Sequence, residues 1–295
     1  MLHHISAAHI RLVLFISWVV CVLYFSAEPL KMLIEYGAFA LLGVIGAIFA
    51  NATGAGGGVV FVPFFNQLNF DSNTTVATSF AIQCCGMTAG ALTWWFFYKK
   101  QQIGNPDWQE LKRALIFTIP FSIVGIGIAQ FIQHSQGGVG EASQLHSMFG
   151  VFSILLAIAI FASIPLLKKQ QFNQTFVPVD LFALSTISIL GGGVTAYLSI
   201  GVGELIAVYL IMRRFNITFA IAVAVILSAY TVWSGVLFHA LILDTVYWPV
   251  VMFAGAGAIV GGMVAKYVVL YFSATRLKMF FAAWVLLLGI SAMPF

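Results

Sequence analysis

The chain has 295 residues, of which 61% are hydrophobic and only 7% charged, with a mean hydropathy of +1.03. A soluble domain is excluded, and the fold class expected is an all-α integral membrane protein, because a bilayer core of roughly 30 Å is crossed by runs of about 20 apolar residues. The formal net charge of +4 reads as a topology signal rather than as a nucleic-acid surface, so the partners expected are the lipid bilayer and a small solute, with no nucleic acid.

In chain order, apolar runs fall near 10–27, 33–53, 57–70, 72–98, 114–133, 146–167, 179–199, 203–215, 217–241, 247–271 and 278–293. The first follows His3, His4 and Arg11 in the manner of a signal peptide. Phe25, third before a cut after Ala27, spoils the small-x-small cleavage pattern, so residues 1–28 are expected to form an extra, uncleaved transmembrane helix.

Runs 57–70 and 203–215 are short for a crossing, and each follows a longer run across a glycine-rich break. If each pair, 33–70 and 179–215, enters and leaves on the same face, then Arg11, Lys99, Lys100, Lys112, Arg113, Lys168, Lys169, Arg213, Arg214, Arg276 and Lys278 share one side. Lys266 lies near that side and Lys31 faces the other. The positive-inside rule makes the basic side cytoplasmic, with the N-terminus inside and the C-terminus outside. Two full crossings per pair satisfy the charges equally well, while the short second arms favour re-entrant hairpins.

At an offset of 147 residues, Gly46 falls on Gly193, Gly54 on Gly201 and Gly56 on Gly203. The expectation is a tandem repeat of inverted topology, residues 29–170 and 171–295, each a glycine-broken hairpin plus three transmembrane helices. Backbone that leaves helical geometry at membrane depth must be satisfied by protein, water or ligand, so each break marks a lined cavity. Arms that start near Gly57 and at Gly203–Glu204 present helix N-termini, whose free N–H groups and dipoles suit an anion. Close helix packing through small residues is the competing account of the glycines.

The stretch GAGGGVVFVPFF (Gly54–Phe65), followed by TTVATS (Thr74–Ser79), and SIGVGELIAVYLIMRRF (Ser199–Phe215) in the second half resemble the sulfite exporter TauE/SafE family, also called the toluene sulfonate uptake permease family. The similarity spans roughly residues 33–295. It implies a secondary transporter that moves sulfite, a sulfonate or a related small sulfur anion across the bacterial cytoplasmic (inner) membrane, with other anions in some branches. At the 147-residue offset Val225, Ile226 and Leu210 replace Thr78, Ser79 and Pro63, so polar contacts are expected mainly from the first half.

The candidate substrate site comprises Asn51, Thr53, Gly54, Gly56, Gly57, Gly58, Thr78, Ser79, Gln83, Ser199, Gly201, Gly203 and Tyr230. Hydroxyl and amide donors bind oxyanions without burying a fixed charge, although Thr78 and Ser79 equally suit bonds to the backbone one turn earlier. Glu204 is the one carboxylate expected near membrane depth. An ionised acid there is costly and repels an anionic cargo, which suggests proton coupling; a structural helix cap is the alternative. Cys84 and Cys85, in apolar runs, read as inert small hydrophobes, with their contact to substrate left open. The histidines are scattered and form no metal site, Trp94, Trp95, Trp233 and Trp248 suit interfacial belts, and no cofactor is expected. Neither G-x-S-x-G, H-E-x-x-H nor a nucleotide-binding loop occurs, which disfavours an enzyme or a pump. An anion channel shares the glycines and differs in turnover. The exact substrate, the direction of transport, the coupling ion and the oligomeric state are not fixed by these motifs.

Overall fold

A computed structural model describes residues 16–20, 22–24, 28–136, 142–165 and 173–291. The helices are α1 (Ile16–Tyr24), α2 (Pro29–Tyr36), α3 (Phe39–Thr53), α4 (Gly58–Gln67), α5 (Ser72–Phe97), α6 (Leu111–Ile116) and α7 (Ile119–Gln136). They continue as α8 (Ala142–Ser163), α9 (Pro178–Leu198), α10 (Val202–Met212), α11 (Ile217–Leu241), α12 (Trp248–Tyr271) and α13 (Ala274–Ser291). Among the described residues there is no strand, and five helical segments are long and apolar enough to cross a bilayer, or six if the bent α1–α2 pair is one span. The protein is a multi-pass membrane protein.

Two predicted runs are subdivided. The run over 33–53 breaks at Gly37 and Ala38, separating α2 from α3, and that over 114–133 breaks between Ile116 and Ile119, ahead of Pro120. Pro120 lacks the N–H that would bond the Ile116 carbonyl; within the break the Thr118 N–H turns to the Leu115 carbonyl, and the Thr118 hydroxyl donates to the Ala114 carbonyl at 2.8 Å. The helix expected over 10–27 is described only at 16–20 and 22–24, where it is helical. Trp18 there donates its indole N–H to the Met252 carbonyl, 2.8 Å away, and meets Phe253 edge to face, which docks α1 on α12.

The helix boundaries repeat at an offset of 145 residues, not 147. Helix ends at Thr53 and Leu198, and at Gln67 and Met212, and starts at Ser72 and Ile217 all stand 145 apart. So do the left-handed caps Gly54 and Ser199, the left-handed turn residues Asn69 and Arg214, and the N-caps Asp71 and Asn216. Each N-cap side chain accepts a backbone N–H from the first turn of its helix, so these starts are set by chemistry rather than by assignment. The glycine match at 147 aligned similar residues in breaks of unequal length: four residues separate α3 from α4, three separate α9 from α10. At 145, Ser228 stands in the place of Gln83, Val223 and Ala224 in those of Thr78 and Ser79, and Val208 in that of Pro63.

Packing is reciprocal between the halves. α5 and α11 are the most buried spans and pack together at the centre, while α3 lies on α12 and α9 lies on α7, so each hairpin leans on a helix of the other half. Small residues allow these close crossings. A Cβ on Gly43 would strike the Ala254 carbonyl and one on Gly257 that of Ala40; in the other pair, a Cβ on Gly125 would strike the Ile189 carbonyl and one on Gly192 that of Ser122.

Both arms of each hairpin reach the same end of the bundle. Arg213, just past α10, forms a two-pronged ion pair with Asp180 at the start of α9, and Tyr209 donates to the same carboxylate. Asn216 binds Asp107 and Gln109 binds the Gln174 carbonyl, which brings Lys99 and Lys100, on the helical turn that extends α5, together with Arg213 and Arg214 at this basic end. At the opposite end, Phe39 packs on Phe64 and Phe65, and Tyr36 and Phe70 pack on Tyr247. In a background without native cysteines, Asn105→Cys and Asn173→Cys are expected to be labelled from the cytoplasm and Asp244→Cys from outside. Labelling of positions 105 and 244 from one side would overturn the topology.

Candidate functional site: the crossing of two broken hairpins

The two helix breaks meet inside the bundle. α3 ends in Gly54 at φ 78° and α9 in Ser199 at φ 59°, both left-handed, and Gly201 at φ 140° occupies a region open essentially to glycine. A Cβ on Gly58, which follows the first break, would stand 2.5 Å from the Ser199 carbonyl oxygen. A Cβ on Gly203 would run into the Gly54 carbonyl and the Ser228 hydroxyl. Gly58 with Gly203, and Gly54 with Ser199, are 145-residue pairs, so each arm seats its first turn on the other hairpin's cap in the same way.

The N–H groups at these helix starts have no partner within their own helices, and burial demands that they find one. Glu204 supplies two. Its Oε1 accepts from the Gly56 N–H at 2.6 Å and its Oε2 from the Gly201 N–H at 2.8 Å, so one carboxylate joins both breaks. The Gln83 carbonyl accepts from the Gly57 N–H at 2.8 Å, which fixes the orientation of its amide. Its Nε2 lies 3.0 Å from Ser79 Oγ, 3.0 Å from the Ser199 carbonyl and 2.7 Å from Ser199 Oγ; two amide hydrogens serve three acceptors, so one bond is shared. Thr195 Oγ1 accepts from the Val202 N–H at 3.0 Å and donates to the Gly191 carbonyl at 2.7 Å.

Of the residues singled out in the sequence, Gly54, Gly56, Gly57, Gly58, Ser79, Gln83, Ser199, Gly201, Gly203 and Glu204 converge at this crossing. Three stand apart. Asn51 is buried against α5, donating to the Ala47 and Gly86 carbonyls, and its side-chain oxygen fills the notch at Gly90. Thr78 accepts from the Tyr247 N–H at 3.0 Å and so fastens the loop ahead of α12. Tyr230 is 54% exposed on the outside of the bundle, where Trp233 also lies, its indole donating to Thr88. Thr53 is intermediate: its hydroxyl donates to the Phe49 carbonyl, accepts the Ala55 N–H and lines a cavity beside Glu204. Cys84 is buried and Cys85 packs against Gly255 on α12.

That cavity has a volume of about 30 Å³ and is also lined by Ile211, Ile217 and Lys278, which places it between the crossing and the basic end. Two residues here carry no motif in the sequence: Thr195, one helical turn before Ser199, and Lys278, whose sequence signal marks topology alone.

A sequence model of the family described as sulfite exporter TauE/SafE matches residues 38–292, nearly the whole chain. The chain belongs to the sulfite exporter TauE/SafE family. Comparisons with curated proteins and with solved structures find no match. The TauE/SafE match begins one residue ahead of α3 and covers both hairpins, leaving α1 and α2 outside it. Membership makes this protein a membrane transporter of a family whose cargo is small anions. At the two helix N-termini, three break N–H groups hold a carboxylate and an amide oxygen, and a fourth, that of Val202, holds the Thr195 hydroxyl.

Proposed function

We propose that the chain is a secondary transporter built from two inverted-topology repeats, residues 29–170 and 171–295, with residues 1–28 as an additional helix. Its cargo is a small sulfur anion, sulfite or a sulfonate, carried across the bacterial cytoplasmic membrane. The observation that carries this reading is the Glu204 carboxylate held by N–H groups of both breaks, at 2.6 Å from Gly56 and 2.8 Å from Gly201. A carboxylate is a planar oxyanion, so donors that satisfy it also suit the oxygens of a sulfur oxyanion. The reciprocal seating of Gly58 on Ser199 and of Gly203 on Gly54 supports a two-fold relation, since only such a relation makes residue contacts symmetric under exchange of partners.

In this mechanism the bridging carboxylate closes the crossing. A substrate oxyanion reaches the crossing and replaces Glu204 on the Gly56 and Gly201 N–H groups, with Gln83, Ser79 and Ser199 offering further polar contacts. Once the carboxylate leaves, the direct tie between the hairpins is lost and one repeat is free to rock against the other. A proton taken up by Glu204 favours the same step, because it turns one oxygen into a donor facing an N–H group and removes the charge that repels the cargo. Proton coupling therefore runs through the residue that holds the gate.

Proteoliposomes loaded by flux from a panel of sulfite, thiosulfate, sulfoacetate, taurine and sulfate, with and without a pH gradient, test the assignment. Saturable uptake of a sulfur oxyanion, faster with an inward proton gradient, is expected. Absence of uptake across the panel would refute the cargo, and flux far above transporter turnover would assign a channel.

A further inference from the structure

The cavity beside the crossing has two charged side chains in its wall, Glu204 and Lys278. Lys278 stands near the start of α13, where a lysine normally turns its ammonium outward to the lipid headgroups. Here Nζ turns inward and donates to Ser163 Oγ at 3.2 Å, and Ser163, fully buried on α8, donates in turn to the Ile160 carbonyl. The ion pairs among the described residues join Lys31 to Glu28, Arg113 to Glu110 and Arg213 to Asp180, so this ammonium has a neutral hydroxyl for a partner and no carboxylate. Apart from Thr53, the remaining wall is apolar, with Ala207, Val208 and Ile160.

A cation held in such a wall is expensive to keep without a counter-ion, and it attracts an anion more strongly than in water because the interaction scales inversely with the local dielectric. The same cavity ends on the Glu204 carboxylate, which repels the cargo it must exchange with. We propose that Lys278 is the cationic anchor that receives the substrate oxyanion in this cavity and offsets that repulsion until the anion replaces Glu204 at the crossing. The inference rests on the transporter reading above and adds a specificity-determining residue to it. The ligand class is a small sulfur oxyanion whose oxygens accept from the ammonium.

The test compares wild type, Lys278→Met and Lys278→Arg for sulfite- and sulfoacetate-dependent thermal stabilisation in detergent and for uptake in liposomes. Lys278→Met removes an unpaired charge from an apolar wall and is expected to fold with unchanged or higher thermal stability. Its half-saturating anion concentration is expected to rise about tenfold or more in both assays, while Lys278→Arg, which keeps the charge, recovers most of the affinity. Wild-type affinity in Lys278→Met overturns the anchor while leaving the transporter reading intact, as does a Lys278→Met protein that fails to fold, which would make the amine structural. Loss in Lys278→Arg equal to that in Lys278→Met overturns it too. If the wild type itself neither binds nor carries either anion, the transporter reading falls first.

Discussion

Replacing Gly203 by leucine is expected to abolish uptake, and even Gly203→Ala is expected to reduce it about tenfold or more, because the first added carbon meets backbone. The Gly54 carbonyl and the Ser228 hydroxyl stand where that carbon would go. The hydroxyl is able to rotate aside, but the carbonyl belongs to a left-handed cap whose position is set by the hydrogen bond from the Gly54 N–H to Ala50. Relief therefore requires the hairpins to part, which stretches the bond from the Gly56 N–H to Glu204. Overpacking of this kind costs about 1–3 kcal/mol, so the loss should register in melting temperature as well as in flux. Gly58→Ala, 2.5 Å from the Ser199 carbonyl, is expected to behave like Gly203→Ala. Gly127→Ala on α7, where the new carbon meets open space, should be silent. A well-behaved Gly203→Ala protein with wild-type uptake and stability would remove the crossing from the mechanism.

Glu204→Gln separates the coupling role from the capping role. The carboxylate accepts two N–H bonds, from Gly56 and Gly201, whereas an amide offers one oxygen and turns its NH₂ toward the other N–H. One buried donor is left unmade, at a cost of about 1–3 kcal/mol, so a lower melting temperature is expected whichever role holds. Transport discriminates. If Glu204 carries the coupling proton, the variant should still bind anion, with the repelling charge gone, and its uptake should no longer respond to an imposed pH gradient. A purely structural cap predicts reduced stability with gradient-driven uptake intact. Flux and melting measured on the same purified protein decide between them, and an unchanged response to pH would end the coupling hypothesis.

Helices and their breaks were legible because both leave local signatures: apolar runs of membrane length, and glycines with αL or close-approach demands. The residues at the breaks were found for the same reason. Register was not. Matching glycines at 147 paired residues of like type, but the caps and turns that define equivalent backbone, such as Gly54 with Ser199 and Asn69 with Arg214, repeat at 145 with different side chains. Ser199 adopts the left-handed conformation without being glycine, anchored by Gln83 and Ser79 across the crossing, and no local rule marks it.

Side-chain direction was the other illegible quantity. Thr78 and Ser79 are neighbours in a motif, yet about 100° apart around α5, so one reaches Tyr247 at the rim and the other Ser199 at the crossing. Tyr230 lies near Ser228 in sequence and faces outward, and Lys278 looked like any basic residue at a helix end until α8 supplied the hydroxyl that draws it inward.

Composition and local pattern by themselves determined the membrane setting, where the apolar helical runs lie, the two glycine breaks and the resemblance to an anion-transporter family, since each depends on residues close in the chain. Only the tertiary structure decided that Glu204 joins the two breaks. The reason is physical: the Gly56 N–H that completes its coordination lies 148 residues away, and a donor at that separation is brought into place by the packing of two hairpins, about which neither segment carries local information.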